Sequence, residues 1–197
     1  MIIGITGGTG SGKTTLLTLA REQGYQVLDC DEIYHRLLKE DHDLLAAIEN
    51  RFPGVVAEGT LQRKKLGQLV FGDEDALSDL NDITHGAIIR EVEKRLTGQT
   101  AIDAIALFES GLNRLCDVTV AVTAPVEQRV QRLMARDQIT EEYARSRIAA
   151  QKSDDWYEGK CTVVLKNDGD EDSFRWKCLA FFKDWGIMKE KCQGGTP

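Results

Sequence analysis

Much that would assign this 197-residue chain to a familiar class is missing from it. It contains no C-x-x-C pair. Its five cysteines, Cys30, Cys116, Cys161, Cys178 and Cys192, are odd in number and widely spaced, which argues against a disulfide framework or a structural zinc site and leaves reduced thiols. No block of Lys and Arg occurs, and the net charge is −7. An acidic chain without a basic patch repels nucleic acid, so an anionic ligand must be held by a local nest of donors. No apolar run is long enough to cross a bilayer, and no basic leader precedes the strand-like Met1–Ile5. The expectation is a cytoplasmic protein with no membrane partner. Neither an internal repeat nor a low-complexity segment interrupts it.

What is present fits a soluble globular enzyme, with 42% hydrophobic and 29% charged residues. Strand and helix patterns alternate, as in an α/β fold with a parallel sheet. Met1–Ile5 and Tyr25–Leu28 read as strands, with a helix from Gly12 to Gln23 between them. A polar turn, Asp29 to Glu32, leads into a helix from Glu32 to Lys39, and residues 41–98 read as almost wholly helical. Strand character returns at Ala101–Phe108, Val118–Val122 and Cys161–Leu165. Pro125 fits a first helical turn, Thr140 caps another helix, and a last helix runs from Ser173 to Lys189 ahead of a frayed Gly194–Pro197. This predicts one domain over residues 1–197, with a sheet of about five parallel strands and a helical insert.

The strongest motif is Gly7-Gly8-Thr9-Gly10-Ser11-Gly12-Lys13-Thr14, which matches G-x-x-x-x-G-K-[ST] at every fixed position. A glycine-rich turn that binds nothing would not need an apolar strand before it and a helix after it. The glycines let successive N–H groups curl around phosphate oxygens, and the helix adds its positive end. Gly8, Thr9, Gly10, Ser11, Gly12, Lys13, Thr14 and Thr15 are therefore candidate ATP-binding residues. Lys13 would reach the β and γ phosphates, and Thr14 would place its hydroxyl on Mg²⁺. No D-x-x-G and no N-K-x-D occurs, which favours a kinase or ATPase over a GTPase switch.

Asp29 and Asp31 fall at the carboxyl end of the second strand, the edge where open α/β sheets bind ligands. In an extended chain they would point the same way, and one could accept a proton from an acceptor hydroxyl. The alternative for Asp31 is a helix N-cap ahead of Glu32-Ile33-Tyr34. Arg132 and Arg136, four apart, share a helix face: either a clamp on transferring charge or a solvated face paired with Glu127 or Asp137. Asp103, in an otherwise apolar strand, reads as a magnesium second-shell acid or an edge residue.

These residues together resemble the dephospho-CoA kinase family along nearly the whole chain. The likeness runs through Gly4-Ile5-Thr6-Gly7-Gly8, Val27-Leu28-Asp29-Cys30-Asp31, Gly59-Thr60-Leu61-Gln62-Arg63, Val70-Phe71, Leu80-Asn81-Asp82-Ile83-Thr84-His85 and Leu107-Phe108-Glu109. It continues through Arg129, Arg132 to Asp137, Arg147 to Gln151, and Asn167-Asp168-Gly169. Gly86, Ile105, Ala106 and Trp156 depart from the family pattern. The resemblance implies ATP and Mg²⁺, with transfer of the γ-phosphate to the ribose 3′-hydroxyl of dephospho-CoA. It implies Asp31 as general base, Lys13 and Arg136 as catalytic cations, and Arg132 and Asn167 on the ATP side. Asp29, Arg63, His85 and Glu109 fall on the acceptor side. Residues 32–98 become the acceptor-binding insert and 137–159 the lid. A lone His85 in a helical stretch also reads as a surface or satisfied core residue, and Arg63 and Glu109 are similarly open. Two other functions fit the motif: a P-loop kinase for a nucleoside monophosphate or small alcohol, and a nucleotide-dependent regulator without transfer.

Overall fold

A computed structural model describes residues 1–186. The strands β1 (Ile2–Thr6), β2 (Gln26–Asp29), β5 (Thr100–Asp103), β6 (Val118–Thr123) and β7 (Val163–Lys166) form one parallel sheet in the order β2-β5-β1-β6-β7. β6 and β7 pair with Val120 opposite Val163 and Val122 opposite Leu165. Every residue of β6 is buried, Val118, Val120, Ala121 and Val122 together with Thr119 and Thr123, as expected of a parallel strand covered on both faces. The chain divides into two compact units, one of Met1–Gly4 with Leu28–Asp117, the other of Ile5–Val27 with the chain from Val118 onward.

The first unit is mostly helical: α2 (Cys30–Glu40), α3 (His42–Arg51), α4 (Arg63–Val70) and α5 (Glu74–Arg95). α2, α3 and α4 each pack on α5. The core holds Leu37, Leu44, Ile48, Val92, Ile102 and Leu107, and burying one such side chain contributes about 1.5–3 kcal/mol. Asp41 caps α3 by accepting from Leu44 N (2.9 Å), and Asp73 caps α5 by accepting from Ala76 N (2.9 Å). The stretch over 41–98, expected to be almost wholly helical, is interrupted by a hairpin, β3 (Val56–Ala57) and β4 (Thr60–Leu61). Its two-residue turn puts both Glu58 and Gly59 at positive φ, the conformation of a tight primed turn.

The second unit carries α1 (Lys13–Glu22), α6 (Val126–Asp137), α7 (Glu141–Ala149), α8 (Asp154–Lys160) and α9 (Glu171–Asp184). α6 and α7 pack through Val130, Leu133 and Ala144, with Ile139 and Ile148 against them. α9 lies on α1 and β7. Thr140 caps α7 as expected, and Pro125 stands at the N-cap of α6 rather than inside its first turn. The last helix begins at Glu171, capped by Asp170, rather than at Ser173. Its expected extension over 187–189, the tail Gly194–Pro197 and Cys192 lie outside the described residues. Cys30, Cys116, Cys161 and Cys178 are not joined in disulfides.

Two boundaries change the reading of the site residues. Helix α2 starts at Cys30, directly after β2, so no extended Asp29–Asp31 segment exists. The strand expected over Ala101–Phe108 stops at Asp103, and a turn follows to the short 3-10 helix Leu112–Leu115. Glu109 therefore lies in an exposed turn, not at a strand end.

Candidate functional site

The phosphate loop leaves β1 at Thr6 and enters α1 at Lys13. Gly7, Gly10 and Gly12 have φ of 134°, 76° and 104°, values that L side chains rarely adopt. Gly8 has an ordinary φ, and its glycine is required for space: a Cβ there would sit 2.1 Å from Arg129 Nη2. At Gly12 a Cβ would sit 2.2 Å from Asn167 Nδ2.

Side chains engage the loop's carbonyls one after another. Lys13 Nζ donates to Gly7 O (2.7 Å), Arg129 Nε to Thr9 O (2.9 Å) and Arg132 Nη1 to Gly10 O (3.2 Å). Asn167 Nδ2 donates to Ser11 O (2.9 Å), and Arg132 Nη2 donates to Asn167 Oδ1 (3.2 Å), which holds that amide in place. With carbonyls drawn to one side, a curled backbone presents N–H groups on the other, which is how such loops cradle phosphate. α1 has no side-chain cap and no acid in its first turn, so its positive end is not neutralised locally. Ser11 is fully buried, and its hydroxyl has no partner among the described residues. Thr14 is exposed and Thr15 half-buried in the same first turn.

Arg129, Gln151 and Asp154 also belong to this assembly; the resemblance places Arg129 and Gln151 in lid-like segments, and Asp154 within 137–159, without giving any of the three a role at the loop. Arg129 is 2% exposed. Its Nη1 donates to Asp154 Oδ1 (3.0 Å), and its Nη2 lies 3.4 Å from Gln151 Oε1, which accepts from Thr9 N (2.7 Å). Arg132 and Arg136, although on one helix, do different things. Arg136 forms a two-pronged pair with its neighbour Asp137 (2.7 and 2.9 Å), and Arg147 adds a third bond to Asp137 (2.6 Å). These hydrogen bonds, from Arg136 first, hold the Asp137 carboxyl well below the usual carboxylate range. Glu127 pairs with Arg145 (2.7 Å).

The acceptor-side candidates lie in the other unit. Asp29, not Asp31, is the N-cap of α2: its Oδ1 accepts from Asp31 N (2.9 Å) and Glu32 N (3.0 Å). That leaves the Asp31 carboxylate, exposed in the first helical turn, without a capping task. Asp31 lines a cleft of about 230 Å³ with Tyr34, Asn81, Thr84, His85 and Ser110. Cys30 lines it too, and burial, with Asp103, Asp29 and Asp31 adding to it, pushes that thiol up to about 12. Burial draws His85 below its ordinary value, while the carboxylates of Asp82 and Glu109 pull it back up. Arg63 does not line the cleft. It lies 3.5 Å from His35 Nδ1, and its charge lowers the Tyr34 phenol against the larger upward effect of burial. Of the positions that depart from the family pattern, Ile105 and Ala106 line the cleft.

The model of the dephospho-CoA kinase family matches residues 1–173. The dephospho-CoA kinase of Deinococcus radiodurans is 38% identical over 174 residues, which cover 85% of this chain and 84% of that protein. A crystal structure from Thermus thermophilus, 33% identical, superposes with a TM-score of 0.77 over 94% of this chain and 97% of its own. A shikimate kinase from Bacteroides thetaiotaomicron shares the fold at 16% identity, with a TM-score of 0.55 over 94% of this chain and 98% of its own.

Proposed function

The chain belongs to the dephospho-CoA kinase family, and from that premise we propose that it transfers the γ-phosphate of ATP to the ribose 3′-hydroxyl of dephospho-CoA, giving coenzyme A and ADP. The observation that carries the reading is an intact phosphate loop, between strand and helix, inside a chain matched to the family over residues 1–173. Lys13 and the loop N–H groups hold the β and γ phosphates, with the Ser11 hydroxyl as a further buried polar group of the loop. The positive end of α1 favours the same charge.

Mg²⁺ fits the residues present. Among the described residues no group of three or more His, Cys, Asp or Glu could hold a metal, so a cation relying on protein carboxylates alone has no place. Mg²⁺ needs fewer protein ligands, because it keeps waters and takes oxygens from nucleotide phosphates, with Thr14 as the hydroxyl ligand. When bound it neutralises charge on the phosphates.

Asp31 is the group that takes the proton from the acceptor hydroxyl. It has no capping role, it lies on the cleft, and Asp29 fixes the turn that carries it. Arg136 stabilises charge on the transferring group, a role for which it must exchange Asp137 for phosphate oxygens. Arg132 and Asn167 serve ATP through the loop carbonyls they hold. Arg63, His85, Glu109 and Asp29 belong to the acceptor side, with residues 32–98 as the acceptor-binding insert and 137–159 as the lid of a single kinase domain. No helix among the described residues is long and apolar enough to cross a membrane, and we place the enzyme in the cytoplasm.

A coupled assay of ADP release tests the reading. ADP should appear with dephospho-CoA and not with nucleoside monophosphates or small alcohols. Equal release with those acceptors, or no acceptor-dependent release at all, would overturn it.

A further inference from the structure

We propose that Arg129, Gln151 and Asp154 form a brace by which the segment between α7 and α8 holds the phosphate loop in the shape that takes ATP. Gln151 and Arg129 are positioning residues, acting on the nucleotide through Thr9. The inference rests on the phosphate loop being the ATP site.

The peptide groups on either side of Thr9 are gripped. Its N–H donates to Gln151 Oε1 at 2.7 Å, and its carbonyl accepts from Arg129 Nε at 2.9 Å. Two bonds, one to each of its peptide groups, fix the orientation of the backbone there, and with it the direction in which the following N–H groups point. The gripping atoms are themselves held. Gln151 Oε1 faces Arg129 Nη2, and Arg129 Nη1 is paired with Asp154 at the start of α8. An arginine side chain only 3% exposed requires such partners for its guanidinium, because an unpaired buried charge is strongly unfavourable.

The glycines explain why a brace is needed. Gly7, Gly8, Gly10 and Gly12 leave the loop with more conformational freedom to lose than residues bearing a Cβ would at those positions. Something outside the loop must remove that freedom before ATP arrives, or ATP binding must do so at the expense of affinity. Arg132 and Asn167 hold the later carbonyls, and Gln151 with Arg129 holds the residue ahead of them. The contact with Gly8 makes the fit reciprocal: the missing Cβ is the space the Arg129 guanidinium occupies.

The test uses the full chain with Gln151→Ala and Gln151→Met, the second keeping length and packing without the acceptor oxygen. ATP and dephospho-CoA affinities are measured by calorimetry, and exchange of the Thr9 amide by NMR. Both variants should bind ATP about tenfold more weakly, the effect of one lost hydrogen bond to a partly buried donor. Affinity for dephospho-CoA should not change, and the Thr9 amide should exchange faster. Unchanged ATP affinity, equal loss of both ligands, or full retention by Gln151→Met would each overturn the proposal. Tighter ATP binding would also overturn it, since Gln151 would then be competing with phosphate for the Thr9 N–H. None of these readouts requires phosphate transfer, so they remain decisive even where the ADP-release assay fails.

Discussion

Around the phosphate loop, buried or half-buried side chains are tied to backbone carbonyls: Arg129 to Thr9, Arg132 to Gly10, Asn167 to Ser11. In the acceptor cleft the pattern is different. Asp31 is exposed, His85 is half-buried, and Asp29, whose carboxylate is tied to backbone, is the helix cap beside them. The difference follows from what each region binds with. Phosphate is held by N–H groups that cannot move independently, so their positions must be enforced from behind. An acceptor hydroxyl is handled by side chains that must exchange a proton, and these need access to substrate and solvent.

The sharpest break of this comparison is Lys13→Ala. It removes the loop's own cation, and turnover should fall by about a thousandfold or more, the upper scale for loss of one charge-stabilising group. The fold should survive, as a thermal melt would show. Near-normal turnover would mean that the loop does not hold ATP for transfer.

Asp31→Asn tests the other region. With the capping role assigned to Asp29, this substitution should leave stability and both affinities close to wild type while slowing transfer at least about a hundredfold. Retained activity would move the base elsewhere. Arg136→Ala comes next. It should lower kcat about tenfold or more with little change in the KM for ATP, because the guanidinium serves charge that develops during transfer. A rise in KM with kcat intact would make Arg136 a ground-state binder, and an unchanged enzyme would leave it as the partner of Asp137 alone.

The smallest expected effect belongs to Asp29→Ala, which removes two bonds to the start of α2. It should lower stability by about 1 kcal/mol in a denaturant titration, and Asp29→Asn by less, since Asn also caps helices. If Asp31→Ala costs as much as Asp29→Ala, the two residues are not separated in the way their hydrogen bonds indicate.

Several features lay beyond a linear reading for specific reasons. Asp29 and Asp31 are the same residue type two positions apart, and only the start of α2 at Cys30 decides which one caps it. The Val56–Leu61 hairpin has strands of two residues, too short to show alternation. The run Ala101–Phe108 is apolar but for Asp103, and apolarity alone does not say where a strand stops and a buried turn begins. Asp103 ends β5 and bears on the Cys30 thiol, a role neither sequence alternative contained.

By itself the sequence determined the phosphate loop, the alternation that makes an α/β sheet, the cap at Thr140, and the family. Each of these is encoded within a few consecutive residues or repeated along the whole chain. The tertiary structure alone decided which side chains shape that loop. Arg129 reaches Thr9 across 120 positions and Gln151 across 142, and no local pattern records a hydrogen bond closed at that separation. Such contacts exist only once packing of α6 and α7 has brought these side chains to the loop, and their geometry is a property of the folded chain.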